Sequence, residues 1–239
     1  YAGGRGPFGF RPDELAAAVT DDTAAIIAEP ILGEGGIRPL SSQFAAAINE
    51  ACERTGALYI ADEVQTGLGR TGHPFYAPAL GLRPDLTSVG KALGGGIPIG
   101  AALVSERVAK MVSPGDHGST YGGNLLGTRA AAFVLDQLKN GLLDHVNTVT
   151  VHFERRLRTL ALRHPSIVEV RGAGLMRGLQ LNIDAARVVD AAREHGLLVN
   201  RTDARVVRLL PALNIEAADI DQAVAILDEV LGAAGSETA

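Results

Sequence analysis

The sequence predicts an α/β fold, with a large domain built on a mainly parallel sheet and a smaller C-terminal α+β domain. Three observations support this prediction. In the first part of the chain, apolar runs of strand length alternate with amphipathic segments of helix length, as in βαβ units. After about residue 145 the pattern changes to paired strands and long amphipathic helices. The length of 239 residues is enough for one large domain and one smaller one.

The individual elements of the first part follow in order. The run AAIIAEP, residues 24–30, is short, apolar and ended by proline, which predicts a buried strand. A helix is predicted from an N-cap at Ser41 or Ser42 to a C-cap at Gly56. Further strands are predicted at residues 57–63, at 85–90 and from 101, and a long helix is predicted from about Leu125.

The C-terminal part has its own set of signals. A second long helix is predicted over about 146–162, and IVEVRG and LMRGLQLN predict paired strands. DAARVVDAAREHG and DIDQAVAILDEVLG predict helices, because their apolar residues recur every three or four positions, and VVRLLPAL predicts a strand. The predicted domains are therefore residues 1–145 and residues 146–239.

Composition excludes several classes of function. The formal net charge of −5 gives no basic surface for nucleic acid, so no nucleic-acid partner is expected. No apolar run is long enough to span a membrane. A single cysteine cannot form an internal disulfide, which favours a reducing compartment such as the cytoplasm. The first ten residues, YAGGRGPFGF, lack the features of a signal peptide and are typical of a loop within a longer chain.

Two glycine-rich motifs fail the tests of structural context. GLGRTG, residues 67–72, matches the dinucleotide pattern, but the predicted strand ends several residues earlier and a proline follows where a helix should begin. VGKALGGG lacks the first glycine and the Ser or Thr of a phosphate-binding P-loop. The histidines and the cysteine show no metal-binding spacing, so no metal site is predicted.

Polar residues instead follow two neighbouring predicted strands. Asp62, Glu63, Val64 and Gln65 end one strand, and Lys91 follows the next. In open α/β sheets, ligands bind outside the carboxyl ends of the strands. A carboxylate and a lysine at this edge are compatible with a simple ion pair. They are equally compatible with a pyridoxal phosphate site, where the lysine forms a Schiff base and the aspartate pairs with the pyridinium nitrogen.

The surroundings of Lys91 favour a chemical role for it. It is the one charged residue in TSVGKALGGGIPIG, residues 87–100. Burial among glycines and aliphatic residues is expected to favour the neutral amine, which is the form that attacks carbonyls. The complementary role of Asp62 is to keep a ring nitrogen protonated.

Several motifs resemble the class III, or ornithine-type, aminotransferases, most closely the acetylornithine branch. They are EPILGEGG, DEVQTGLGRTG, KALGGG, HGSTYGGN and GLLVNRT with VVRLLPALNI, and they span nearly the whole chain. The resemblance implies the type I pyridoxal phosphate fold, and a homodimer with active sites shared between subunits. It implies transfer of the δ-amino group of N-acetylornithine to 2-oxoglutarate in arginine biosynthesis.

The resemblance also assigns roles to the residues at the predicted sheet edge. Lys91 would bind the cofactor covalently and move a proton, and Asp62 would bind the pyridine nitrogen. Val64 would pack on the ring and Gln65 would hydrogen-bond its phenolic oxygen. Glu63 is counted with this cofactor segment.

A second segment of the active site is implied for the neighbouring subunit. Thr120 would reach the phosphate of the cofactor that the neighbouring subunit holds. Ser119, the residue before it, would lie close to the substrate. These two roles follow from the resemblance of HGSTYGGN to the family motif.

One further pair, Glu34 and Arg208, would act as a switch. Arg208 would be masked by Glu34 while the ω-amino donor binds and would be freed to take the second carboxylate of glutamate or 2-oxoglutarate. The alternative for this pair is a structural salt bridge. An arginine suits the role because its planar fork binds carboxylates bidentately.

Three alternatives stay open. Ornithine, succinylornithine, 4-aminobutyrate and carrier-bound lysine are alternative donors for the same motifs. An aminomutase or a decarboxylase would use the same cofactor. The third alternative is an inactive remnant, because the phosphate-cradling turn, the stacking aromatic residue and the carboxylate-binding arginine of the family are not found before Glu29.

Overall fold

The structure is a computed structural model that describes residues 11–236. The N-terminal segment predicted to be a loop therefore lies outside the described residues. The described chain divides into two compact units. The first comprises residues up to 30, residues 40–68 and residues 73–140, and the second comprises residues 31–39, residues 69–72 and the chain from 141 onward. The second unit thus takes two short segments from the N-terminal half, and the single domain boundary after residue 145 stays a prediction.

Strands and helices alternate along the first unit, and the second unit begins its C-terminal part with a long helix. The strands are β1 Ala25–Ala28, β2 Ile31–Leu32, β3 Arg38–Pro39, β4 Leu58–Asp62, β5 Leu86–Val89, β6 Ala101–Val104, β7 Ile167–Ala173, β8 Met176–Leu181, β9 Asn200–Asp203 and β10 Val206–Leu209. The α-helices are α1 Pro12–Ala18, α2 Ser42–Thr55, α3 Tyr76–Ala79, α4 Glu106–Ala109, α5 Leu125–Gln137, α6 Leu143–Arg163, α7 Ala185–Glu194 and α8 Ala217–Ser236. A short 3₁₀ helix covers Lys91–Gly94 and a π-helical turn covers Leu138–Leu142.

The sheet of the first unit has the order β1-β4-β5-β6. β1, β4 and β5 are parallel, and β6 is antiparallel to β5. The prediction of a mainly parallel sheet is therefore confirmed. Because parallel strands end at the same edge of a sheet, the residues that follow β4 and β5 lie near one another. This edge carries Asp62 and Lys91.

Helix α2 shows why the sequence signals of the first unit were reliable. Its N-cap is Ser41, whose side chain accepts a hydrogen bond from the backbone N–H of Phe44. Its C-cap is Gly56, which has φ of 78°, a left-handed conformation that glycine adopts without steric cost. Between these caps, Ile48 is fully buried against the sheet residue Tyr59 in one apolar cluster.

The second unit is an antiparallel sheet covered by helices. Its strand order is β7-β8-β10-β9, and every neighbouring pair is antiparallel. The core consists of the apolar faces of α6, α7 and α8 on the sheet, with Phe153, Leu157, Leu179 and Leu227 almost completely buried. The predicted α+β character of this part of the chain is confirmed.

The GLGRTG segment supplies residues 69–72 to this second unit. The carbonyl of Arg70 accepts a hydrogen bond of 2.9 Å from the N–H of Leu175, and its guanidinium donates to the carbonyl of Pro211. Burial lowers the pKa of Arg70 to about 10. Gly174 has φ of +55°, and a Cβ on it would lie 2.4 Å from the carbonyl carbon of Thr71. Residues 69–72 are therefore packed as part of the second unit.

The elements that the sequence did not predict are short. They are the β2–β3 hairpin, strand β9, helices α1, α3 and α4, the 3₁₀ helix and the π-helical turn, each of two to seven residues. Segments of this length contain too few repeats of a helical or strand pattern for periodicity to identify them. Within the described part of the chain, no helix combines the length and the apolar character needed to cross a membrane.

Candidate active site

Asp62 is the last residue of β4 and is fixed by the neighbouring strand. Its Oδ1 accepts a hydrogen bond of 3.0 Å from the hydroxyl of Ser88, its register partner in β5. The same oxygen accepts a bond of 3.1 Å from the backbone N–H of Val64. Among the described residues, none donates a hydrogen bond to Oδ2. The fold thus orients the carboxylate through one oxygen and leaves the other for a donor on a ligand.

Glu63 has a different environment from Asp62. It is 1% exposed, and its carboxylate accepts a hydrogen bond of 2.5 Å from the hydroxyl of Thr66 and one of 2.6 Å from the N–H of Ala77. Burial raises the pKa of Glu63. Both carboxylate oxygens are used inside the first unit, where they connect the end of β4 to the start of α3. The sequence groups this side chain with the cofactor segment, which stays a prediction, and its observed contacts are to Thr66 and to Ala77 of α3.

Lys91 follows β5 directly and has an unusual backbone. Its φ is 45°, in the left-handed region that a residue with a Cβ rarely occupies. Strain of this kind is worth about 1–3 kcal/mol and is concentrated at functional sites. Lys91 and Asp62 do not form an ion pair with each other, so the simplest structural alternative for these two residues is not realised.

The expectation that Lys91 is buried is wrong for this structure, because its side chain is exposed. The apolar residues that follow it do not enclose it. In the unit that carries Lys91, every residue of β6 and every residue from 109 to 126 is also exposed to solvent. An apolar sequence neighbourhood therefore did not produce a buried environment at this position.

Val64 and Gln65 occupy the turn that follows Asp62. Both are half-buried, and Gln65 takes part in at least one polar interaction. A Cβ on Gly90, the residue before Lys91, would lie 3.6 Å from Cγ1 of Val64, which is an ordinary van der Waals distance. The backbone next to Lys91 thus packs beside the turn that carries Val64, so these residues are gathered at one edge of the sheet.

Ser119 and Thr120 lie in the exposed turn that precedes α5. The turn is ordered by local hydrogen bonds, in which Asn124 caps α5 by accepting a bond of 2.7 Å from the N–H of Gly127. Neither Ser119 nor Thr120 uses its hydroxyl in a hydrogen bond to another described residue. The structure of this single chain therefore does not place them in contact with Asp62 or Lys91.

The second unit contains the other predicted pair. Nη1 of Arg208 donates a hydrogen bond of 2.7 Å to Oε1 of Glu34, although the two residues are 174 positions apart in the sequence. The side chain of Arg208 is only 10% exposed, whereas that of Glu34 is 68% exposed. The arginine is thus enclosed by the fold, and its carboxylate partner lies at the surface of the unit.

The comparisons with known proteins agree with this arrangement. The sequence model described as Aminotransferase class-III matches residues 12–231. The chain belongs to the class III aminotransferase family. It is 44% identical to the acetylornithine aminotransferase of Methanothermobacter thermautotrophicus, over 91% of this chain and 56% of that protein. This class III aminotransferase chain thus spans little more than half the length of that relative.

Solved structures give the same result for the fold. The ornithine aminotransferase of Toxoplasma gondii ME49 matches with a TM-score of 0.87 at 34% identity, covering 97% of this chain and 59% of that one. The acetylornithine aminotransferase of Elizabethkingia anophelis matches with a TM-score of 0.82 at 32% identity, covering 92% of this chain and 57% of that one. The type I fold is therefore confirmed, as is pyridoxal phosphate as the cofactor of the family.

The sequence missed two features of this class III aminotransferase site. Ser88, which orients Asp62, lies inside a predicted strand and has the features of an ordinary strand residue. The inward orientation of Glu63 could have been predicted from the alternation of buried and half-buried residues along β4. Tyr59 and Ala61 are buried, and the two-residue period of a strand continues this face to position 63.

Proposed function

We propose that this protein transfers the δ-amino group of N-acetylornithine to 2-oxoglutarate, with pyridoxal phosphate as cofactor. The observation that carries the proposal is the Glu34–Arg208 pair of 2.7 Å, in which an enclosed arginine is covered by an exposed carboxylate. A two-substrate enzyme needs such a partly masked cation when only one of its substrates has a second carboxylate. The names of the relatives support N-acetylornithine as the donor.

The residues present fit pyridoxal phosphate. Oδ2 of Asp62 can accept a hydrogen bond from a protonated ring nitrogen, and the charge of the carboxylate keeps that nitrogen protonated. Lys91 would hold the cofactor by bonding its amine to the aldehyde carbon, with the aldehyde oxygen leaving as water. Val64 would pack on the ring, Gln65 would bind its phenolic oxygen, and Thr120 would bind the phosphate of the partner subunit's cofactor.

Lys91 has a second task in this proposal. When bound, pyridoxal phosphate would supply an electron-accepting ring for the pair left on a substrate carbon after its proton is removed. Nζ of Lys91 would take that proton and return it at the cofactor's former aldehyde carbon, on the other side of the shared nitrogen. Lys91 lies just after β5, and its flexible four-carbon side chain gives Nζ the reach to move the proton.

Arg208 would select the amino acceptor. With Glu34 paired to it, Arg208 presents little free positive charge, which suits a donor without a second carboxylate. When 2-oxoglutarate binds, its distal carboxylate replaces Glu34 and forms charge-assisted hydrogen bonds with the guanidinium. The exposed position of Glu34 supports this exchange, because water can hydrate its carboxylate once it leaves Arg208.

We further propose a homodimer with shared active sites, placed in the cytoplasm. Support for the dimer is the exposed position of Ser119 and Thr120, which leaves both hydroxyls open to a ligand held by a second subunit. Support for the compartment is Cys52, the single cysteine, which lies in a helix with no disulfide partner.

Borohydride trapping tests the cofactor part of the proposal. The chain contains three lysines, Lys91, Lys110 and Lys139, and all are exposed. The purified chain is mixed with pyridoxal phosphate, reduced, digested and analysed by mass spectrometry. We expect the adduct on Lys91 alone. Equal labelling of the other two lysines, or no labelling, contradicts a cofactor site at Lys91.

A donor panel tests the substrate. Glutamate formation from 2-oxoglutarate is measured with N-acetylornithine, ornithine, succinylornithine and 4-aminobutyrate. We expect the highest kcat/KM with N-acetylornithine. A higher value with ornithine would move the assignment to the ornithine branch, and no glutamate from any donor would contradict the transaminase.

A further inference from the structure

The hydrogen bonds around Arg208 in the second unit include acceptors of different charge. Nη1 donates to Oε1 of Glu34 at 2.7 Å and to the carbonyl of Gly33 at 3.3 Å. Nε donates to Oδ1 of Asn200 at 3.2 Å. The first acceptor is a carboxylate, whereas the other two are neutral. The guanidinium is therefore held at both Nη1 and Nε, by a charged group on one side and a neutral side chain on the other.

Asn200 and Glu34 are attached to very different parts of the unit. Asn200 begins strand β9 and is the register partner of Arg208 across the β9–β10 ladder. Glu34 lies in the connection between the two-residue strands β2 and β3, with glycine at positions 33, 35 and 36. The Asn200 contact is thus set by sheet pairing, and the Glu34 contact depends on a short glycine-rich segment.

Asparagine is an unusual choice for this strand position. Its side chain is disfavoured in strands, and in β9 it is exposed, so it contributes little to the apolar core. What it does provide is a neutral oxygen directed at Nε. Since Nε lies in the guanidinium plane, a fixed hydrogen bond to it restricts rotation of the whole planar group.

We propose that Asn200 is a positioning residue for Arg208. It holds the Nε side of the guanidinium while Glu34 and the substrate carboxylate exchange at the Nη side. The inference rests on the proposed function, in which Arg208 takes the distal carboxylate of the amino acceptor. Neutrality of the asparagine is part of the inference, because a second carboxylate beside Nε would compete with the substrate for the positive charge.

Binding of glutarate, a dicarboxylate without a keto group, tests this role without turnover. Its dissociation constant is measured by calorimetry on the purified protein loaded with pyridoxal phosphate. Loss of one hydrogen bond to a charged group corresponds to roughly a tenfold change, so we expect Asn200→Ala to weaken glutarate about tenfold. Asn200→Asp should weaken it further, although this variant keeps an oxygen next to Nε.

Two comparisons separate positioning from a general structural effect. Asn182→Ala is the matched control, since Asn182 is an exposed asparagine of the same unit whose amide donates to the carbonyl of Pro165. We expect it to bind glutarate as the unchanged protein does. The KM for the amino donor should stay the same in both Asn200 variants, while the KM for 2-oxoglutarate rises.

Each contrary outcome overturns a specific statement. If both Asn200 variants bind glutarate as tightly as the unchanged protein, or if the Asp variant binds it more tightly than the Ala variant, Asn200 does not position Arg208. Equal losses for donor and glutarate would also overturn it, as evidence of a structural effect. If Arg208→Gln does not weaken glutarate, the proposed function of Arg208 fails as well. A large effect of Arg208→Gln without any effect at Asn200 overturns the positioning role alone.

Discussion

Glu63 offers a direct test of how the candidate site is supported. Replacing it with alanine removes the acceptor of two buried donors, the hydroxyl of Thr66 and the N–H of Ala77. Each donor left unpaired costs about 1–3 kcal/mol, so Glu63→Ala should lower the free energy of unfolding by about 2–6 kcal/mol. Glu63→Gln should cost far less, because its amide oxygen still accepts from Ala77 and its NH₂ can donate to Thr66.

The assay is urea unfolding at neutral pH, with Glu53→Ala as the matched control. Glu53 belongs to the same unit and pairs with Arg83, but both side chains are exposed, so its loss should cost about 0–1 kcal/mol. The reasoning is refuted if Glu63→Ala costs no more than Glu53→Ala. It is also refuted if the glutamine variant is as unstable as the alanine variant.

The same residue predicts a pH dependence. Burial raises the pKa of Glu63 above its ordinary value of 4.5. A carboxyl with a raised pKa in the folded state contributes stability that is fully present below the unfolded pKa and is lost as the pH rises through the folded pKa. The unchanged protein should therefore lose stability relative to Glu63→Gln as the pH rises from about 4 to neutrality, which unfolding curves at several pH values would show.

Two further predictions concern backbone strain. Lys91→Gly removes a side chain from a left-handed position, so it should abolish borohydride labelling at position 91. Its free energy of unfolding should be equal to that of the unchanged protein or up to about 1 kcal/mol higher. The control Lys110→Gly, at φ of −66°, should be destabilising. A stability loss in Lys91→Gly larger than that of Lys110→Gly would contradict the strain. Gly174→Ala should destabilise the second unit by about 3 kcal/mol or more, because the new Cβ would overlap the backbone of Thr71. Gly196→Ala, at φ of +83° in open space, should cost only about 1 kcal/mol, and equal melting temperatures for the two variants would contradict the clash.

The sequence predicted the regular elements because each had two independent signals. Helix α2 had an apolar face and both caps, and strand β4 had an apolar run followed by charged residues. The short helices and strands had only one such sequence signal or none. The β2–β3 hairpin is the instructive case, since it has only two residues in each strand yet carries Glu34 into the second unit.

The chemistry at the end of β4 and β5 was predictable in kind, but its environment was not. A carboxylate and a lysine after adjacent parallel strands must lie at one edge of the sheet, and Asp62 and Lys91 do. Burial of Lys91 was inferred from apolar sequence neighbours. Of these neighbours, Leu93 is buried in an apolar cluster with Leu68 and Val89, so the apolar side chains pack with one another and leave the lysine exposed.

The contact partners of Arg208 show the limit of sequence reasoning. The pairing of Glu34 with Arg208 was predicted from family resemblance, because no local sequence pattern relates two residues that are 174 positions apart. Asn200 was not identified at all, since an exposed residue in a four-residue strand produces no periodic signal. Its contact with Arg208 is seen only in the register of β9 on β10 and in the 3.2 Å hydrogen bond from Nε.

A common physical pattern connects the residues at the two candidate sites. Lys91 has a left-handed backbone, Glu63 is a buried carboxylate with a raised pKa, and Arg208 is an enclosed cation. Each of these groups carries an unfavourable contribution at neutral pH, namely a left-handed backbone, a buried carboxylate and an enclosed charge. Unfavourable choices of this kind persist at sites where the side chain has a task that the more stable residue cannot perform. If Lys91→Gly is as stable as the unchanged protein or more so, the lysine is not there for stability, and its role must be sought in binding and catalysis.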